Sequence, residues 1–255
     1  VIRPKHWIIA GIYCSLAGAV AWATAHRERE VVLARYVSSL EDRTPNQVHN
    51  VRLAAQSIHG KWLPPGAVFS FNKTVGSWSS DSGYKRAPVS YDGELVPSWG
   101  GGICQASTTL YNAAALAGLA ILERHRHRWT ARYIAPGRDA AVAYPNIDLR
   151  LRNDHPFPVR LEGEVRGNLV EFRVVGPRRP DLEYRFSQRV ESVTEPLLVR
   201  QPWREGLPVR RVRNPGKRGV RVLTYRVRLR NGEEVGREFL SDDAYPAMNR
   251  LLLDR

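Results

Sequence analysis

Three consecutive glycines, Gly100-Gly101-Gly102, run straight into Ile103-Cys104-Gln105, and the residues after them keep a helical pattern as far as Gly118. No other stretch restricts the fold as much. Glycine runs mark places where the backbone turns tightly or approaches another group closely. A cysteine just inside a helix start sits among unpaired backbone N–H groups, at the positive end of the helix dipole. That setting favours thiolate over thiol and makes a nucleophile. The other reading is a small apolar residue buried behind a turn, where many free cysteines sit. The local sequence leaves both open.

Location bears on the choice. Arg3, Lys5 and His6 precede an uncharged run, residues 7–24. As a helix this run would span about 27 Å, close to the hydrocarbon thickness of a bilayer. The basic flank places the start of the chain in the cytoplasm and everything after Ala25 outside. The expectation is a single-pass cell-membrane anchor with an extracytoplasmic main domain. Ala23-Thr24-Ala25 also has the small-residue form of a signal cleavage site, and cleavage would give a secreted protein. Cys14 lies inside the run and Cys104 beyond it, so the two do not pair. Cys104 is then a lone thiol in an oxidising compartment, which points to chemistry. A formal net charge of +14 suits anionic partners such as nucleic acid, acidic headgroups or wall polymers. Export removes nucleic acid from that set.

Farther along, residues 26–44 read as a linker. Thr44-Pro45 is an N-cap with proline at the first helical position, and Val48, Val51, Ala55 and Ile58 follow at helical spacing until Gly60. Residues 67–72 read as a strand, and residues 72–100 as a long structured loop. A second helix covers residues 105–117. Residues 140–144 form a plausible strand, and residues 147–175 alternate like an antiparallel meander. Gly176-Pro177-Arg178-Arg179-Pro180 is a linker. Residues 220–230 then alternate, Asn231-Gly232 signals a type I′ hairpin, and residues 235–240 supply the returning strand. The fold class expected is α+β. It comprises a membrane or signal segment (1–29), a mixed domain of two main helices and an antiparallel sheet (30–175), and a small basic β-rich extension (176–255).

A thiolate nucleophile needs a histidine as proton acceptor and a third group to orient it. His125 and His127 stand two apart and would share one face of a strand. His127 with Asp139 is the candidate pair. The competing reading of the Arg/His-rich run 123–129 is a solvated face. Cys104, His125, His127, Asp139 and His155 are all metal-ligand types. The sequence has neither a CxxC pair nor an HExxH helix, so no metal is assigned.

Four stretches carry a family resemblance. They are Leu63-Pro64-Pro65-Gly66-Ala67-Val68-Phe69-Ser70-Phe71-Asn72 with Gly83-Tyr84; Gly100 to Ala114, of the form GGGxCQxSTTLYNA; Glu123-Arg124, His127, Tyr133, Pro136-Gly137 and Asp139-Ala140; and Asn153. Over residues 46–165 the sequence resembles the VanW family, named for an accessory protein of vancomycin-resistance clusters. The resemblance implies an exported, cell-wall-linked protein, some relatives being implicated in L,D-transpeptidation of peptidoglycan through the motif cysteine. It implies Cys104 as nucleophile, His127 as base and Asp139 as orienter, with the Gly101–Cys104 backbone as an oxyanion hole. Gly100, Gly101, Gly102, Gln105, Ser107, Thr108, Tyr84 and Arg124 are the candidate substrate contacts, and no cofactor is expected. Arg128 and Ala141 depart from the family, where serine and threonine are usual.

Three functions compete. One is acyl transfer between peptidoglycan stem peptides. The second is hydrolysis by the same residues, as a carboxypeptidase or amidase. The third is a non-catalytic peptide-binding accessory module that uses the motif as a rigid turn. Expected partners are the stem peptides, anionic wall polymer or lipid headgroups through the basic tail, and the membrane through the N-terminal helix.

Overall fold

The computed structural model describes residues 30–91, 94–202, 212–214 and 216–254. The expected membrane segment and Cys14 lie outside these. No described helix is long and apolar enough to cross a membrane. The architecture is mixed α+β, with three described helices and several sheets, most of them antiparallel.

Strand β1 (Val31–Ser39) occupies the stretch read as a linker. Helix α1 (Pro45–Ile58) starts where expected. The Thr44 hydroxyl accepts from the Gln47 N–H while the Gln47 side chain accepts from the Thr44 N–H, a reciprocal capping box. Strands β2 (Lys61–Leu63) and β3 (Val68–Ser70) follow. The strand expected to reach Asn72 stops at Ser70, whose hydroxyl accepts from the Lys73 N–H and caps the short helix α2 (Phe71–Val75). The expected loop at 72–100 contains a hairpin, β4 (Arg86–Tyr91) and β5 (Glu94–Trp99). Its prolines face each other across the pair (Pro88 and Pro97), which hides the strand pattern from a propensity reading.

Helix α3 (Ile103–Leu116) follows the glycines, then β6 (Ala120–Glu123) and β7 (Arg150–Arg152). Strands β8 (Val159–Arg166) and β9 (Leu169–Gly176) form the expected hairpin. β7 does not join that meander; it sits between β3 and β6 in a separate sheet. The segment 140–144 makes only isolated bridges, Ala141 to His125 and Ala143 to Ile147. The main sheet runs β1-β9-β8-β2, antiparallel throughout. Helices α1 and α3 pack on it around Val51, Ile58, Leu110, Tyr111, Leu161 and Phe172.

Beyond Gly176, β10 (Glu183–Thr194), β13 (Gly219–Arg230) and β14 (Glu233–Tyr245) make a sheet ordered β10-β13-β14. Asn231 (φ 53°) and Gly232 (φ 84°) form its two-residue turn, both left-handed as a type I′ hairpin requires. β14 runs five residues past the predicted end. Ser241, Asp242 and Asp243 interrupt the apolar alternation there, and that extension reaches the site. In the remaining sheet, β15 (Arg250–Asp254) lies between β11 (Leu198–Pro202), to which it is parallel, and β12 (Val212–Asn214).

Asn153 ties two of these layers together. Fully buried, it donates to the carbonyls of Leu63 (2.8 Å) and Phe157 (2.9 Å) and accepts from the His155 N–H (3.0 Å). Asn153→Ala strands three buried partners at about 1–3 kcal/mol for each group left unmade, so a loss of about 3 kcal/mol is expected in chemical denaturation.

Candidate active site

Helix α3 is buried on all sides, and Cys104 sits half-buried in its first turn. Three glycines are required to place it there. Gly100 (φ 81°) lies against the Trp78 ring, where an added Cβ would fall 2.7 Å from a ring carbon. An added Cβ on Gly101 would meet the Pro88 carbonyl at 2.8 Å. Gly102 is the left-handed residue preceding the helix (φ 102°), and a Cβ there would meet the Gln47 carbonyl at 2.7 Å. The close approach these glycines permit is therefore to Trp78, to the β4–β5 hairpin and to α1, so packing alone accounts for all three.

His127 and Asp139 come together as expected. The Asp139 carboxylate is buried, and its Oδ2 accepts from both the His127 Nδ1–H and the His127 backbone N–H, each at 2.6 Å. The imidazole also interacts with the Cys104 thiol through a hydrogen bond and through charge. When protonated, that thiol also donates to the Val142 carbonyl at 3.4 Å. Burial alone would push the Cys104 pKa up, but the hydrogen bond and charge of His127 outweigh it and hold the thiol below its ordinary value. Burial would likewise lower His127, yet Asp139 and Cys104 raise it to about 10. Asp139 is held at about 2 by His127 and the Arg124 guanidinium, against the cost of burial. The direction for the pair is thiolate–imidazolium at neutral pH.

Arg124 turns inward as well. It is buried rather than open to substrate: Nη2 donates to Asp139 Oδ1 (2.9 Å), Nε to the Asp139 carbonyl (2.6 Å), and Nη1 to both oxygens of Asp243 (2.7 and 2.6 Å). Gln105 is buried too, binding Arg43 (2.7 Å) and the Ser39 carbonyl (2.7 Å). Ser107 donates to the Ala140 carbonyl (2.6 Å), while Thr108 accepts from the Ala140 N–H (2.9 Å). These two clip the segment carrying Asp139 onto α3. Tyr84 belongs to the core, its pKa pushed up to about 12 by burial on the Ser57 side of α1. All five have their partners or packing inside the protein.

His125 and His127 do not share a strand face, because β6 ends at Glu123. His125 pairs with Glu123 on the surface (2.9 Å). His155 is buried, bonded to the Ala117 carbonyl (2.8 Å) and stacked on Phe157. His125 and His155 thus lie apart from Cys104, His127 and Asp139, and among the described residues no group of three or more His, Cys, Asp or Glu is arranged for a metal.

Three residues of the site were not anticipated. Tyr133 stands edge-on to His127 (ring centroids 6.5 Å apart), and burial keeps it protonated. Tyr245 donates to Asp139 Oδ1, and Asp243 binds Arg124; both come from the unpredicted end of β14. Tyr133 was visible as a family position, but no local signal marks the other two. A groove of about 540 Å³, lined by Trp62, Lys61, Lys73 and Arg150 among others, contains none of Cys104, His127 or Asp139.

A thiol, an imidazole and a buried carboxylate linked in that order define a site of the thiol–imidazole–carboxylate class. A family model described as VanW like protein matches residues 46–175, half of the chain, and a second described as G5 domain matches residues 208–251. The chain belongs to the VanW family. Uncharacterized protein YoaR of Bacillus subtilis (strain 168) is 38% identical over 135 residues, covering 53% of this chain and 45% of its own length. Vancomycin B-type resistance protein VanW of Enterococcus faecalis (strain ATCC 700802 / V583) is 28% identical over 148 residues, 56% of this chain and 54% of its own. The chain thus spans about half the length of the curated relatives it matches. The crystal structure of HP0197-G5 aligns with 29% of this chain and 99% of its own at 20% identity, with a TM-score of 0.14.

Proposed function

We propose that this chain is a cell-wall-associated, extracytoplasmic protein that performs cysteine-dependent acyl transfer on peptidoglycan stem peptides. The observation that carries the chemistry is the Cys104–His127–Asp139 line at the start of α3. The Cys104 thiolate attacks a peptide carbonyl carbon and the C–S bond forms. The backbone N–H of Cys104, in the first helical turn, is the donor this reading assigns to the developing oxyanion. The C–N bond then breaks as the His127 imidazolium gives its proton to the departing amine, leaving a thioester. An acceptor amine attacks that thioester, His127 takes the proton back, and the thiolate leaves. Water as acceptor makes the same site a hydrolase. The substrate class rests on the family, one of whose members is named for vancomycin resistance.

One set of observations favours the accessory reading, in which the motif is a rigid turn that presents a peptide-binding surface. The glycines, Gln105, Ser107 and Thr108 are all occupied in packing, and the 540 Å³ groove lies away from Cys104. Intact-mass measurement after incubation with stem peptides and acid quenching separates the two. The acyl-transfer reading expects a thioester on Cys104 with loss of the peptide's terminal residue, absent in Cys104→Ala. Unmodified protein that still binds the peptide would favour the accessory module.

A further inference from the structure

Asp139 is a buried carboxylate whose two oxygens serve different parts of the chain. Oδ2 is taken up by His127. Oδ1 faces Arg124 and Tyr245, and Arg124 is aimed by its two-pronged pair with Asp243. Tyr245 and Asp243 lie more than a hundred residues farther along, at the C-terminal end of β14. The Tyr245 hydroxyl is doubly engaged, accepting from the Gly137 N–H (2.9 Å) while it donates to Asp139. Ser241 donates to Asp243 (2.7 Å) and holds it in turn. The same sheet reaches the other end of the nucleophile helix. Buried Arg226 of β13 donates to the Leu119 carbonyl (2.6 Å), placing a cation where the α3 dipole is negative.

We infer that β14 is a working part of the candidate site: Tyr245 and Asp243 are positioning residues that fix the Asp139 carboxylate, and through it the His127 ring against Cys104. This rests on the acyl-transfer reading above. A carboxylate anchored only through Oδ2 is free to turn about its Cβ–Cγ bond and carry the imidazole with it, whereas donors on both oxygens hold its plane. Thiol activation then depends on the docking of the β10-β13-β14 sheet against residues 124–139, and the C-terminal strands are more than a tether to the wall.

The test measures the rate of Cys104 alkylation by iodoacetamide against pH in the full chain, with thermal unfolding in parallel. The variants are Tyr245→Phe, which keeps the ring, Asp243→Asn, and Arg221→Gln as a control. Arg221 forms an exposed pair with Asp242 in the same sheet. The expected result is a midpoint about one pH unit higher in Tyr245→Phe and Asp243→Asn, a roughly tenfold loss of thiolate at fixed pH, with no change in Arg221→Gln. A wild-type midpoint well below that of free cysteine, unchanged in Tyr245→Phe, would overturn this inference and leave the acyl-transfer reading standing. A wild-type midpoint equal to that of free cysteine would overturn both.

Discussion

Replacing His127 by alanine is expected to slow alkylation of Cys104 by about 100-fold near pH 6. A thiol of ordinary pKa, about 8.5, is only about 0.3% thiolate there. In the native site His127 contributes a hydrogen bond and a positive charge, which together outweigh burial and hold the thiol low. The gain in rate is smaller than the gain in thiolate, because a less basic thiolate is a weaker nucleophile. In the variant the desolvation acts without the offset from His127, so the Cys104 pKa should rise toward or above that of a free cysteine. The rate-versus-pH curve, read in both proteins, checks the sign as well as the size.

Asp139→Ala should be the most damaging substitution to stability. It removes the common acceptor of His127, Arg124 and Tyr245 inside a closed network. Deleting one partner of a buried ion pair costs about 3–5 kcal/mol, and here Asp243 remains to hold Arg124, so the lower part of that range is expected. For a chain of this size the loss corresponds to a fall of about 10 °C in Tm. The deficit should depend on pH. Asp139 has a depressed pKa, about 2 against an ordinary 3.8, so its contribution is complete above the ordinary value and disappears as pH falls through about 2. His127 behaves oppositely. Raised to about 10 from 6.5, it contributes below 6.5, and the contribution is lost as pH rises through about 10. Wild type and variant should therefore differ most in the middle of the range and converge toward acid.

That Cys104, His127 and Asp139 come together is legible because their signals are local. Three glycines before a helical cysteine are visible in one window, and His127 and Asp139 lie within a short segment of each other. The supporting residues turn inward for a physical reason. Gln105, Ser107 and Thr108 look like ligand contacts because they are polar beside a nucleophile. A helix buried on every face must satisfy such groups internally, and theirs go to Ser39 and Ala140. Arg124 is likewise taken up inside, by two carboxylates. Long-range pairing was out of reach. β1 finds its partner β9 across most of the chain, and β14 reaches Asp139 only after a hairpin whose far end has lost its alternation. The sequence pattern gives the hairpin turn at Asn231-Gly232, but not where the returning strand docks.

Acyl transfer at this site depends above all on Cys104 being an activated thiol. The most direct test is a thiolate titration followed by ultraviolet absorbance, taken as the difference between the wild-type protein and Cys104→Ala. The account predicts that the thiolate signal is already present at neutral pH and disappears only well below the ordinary thiol value of about 8.5. A signal that appears at or above that value would contradict it and leave the GGGxCQ turn as a structural element of a binding module.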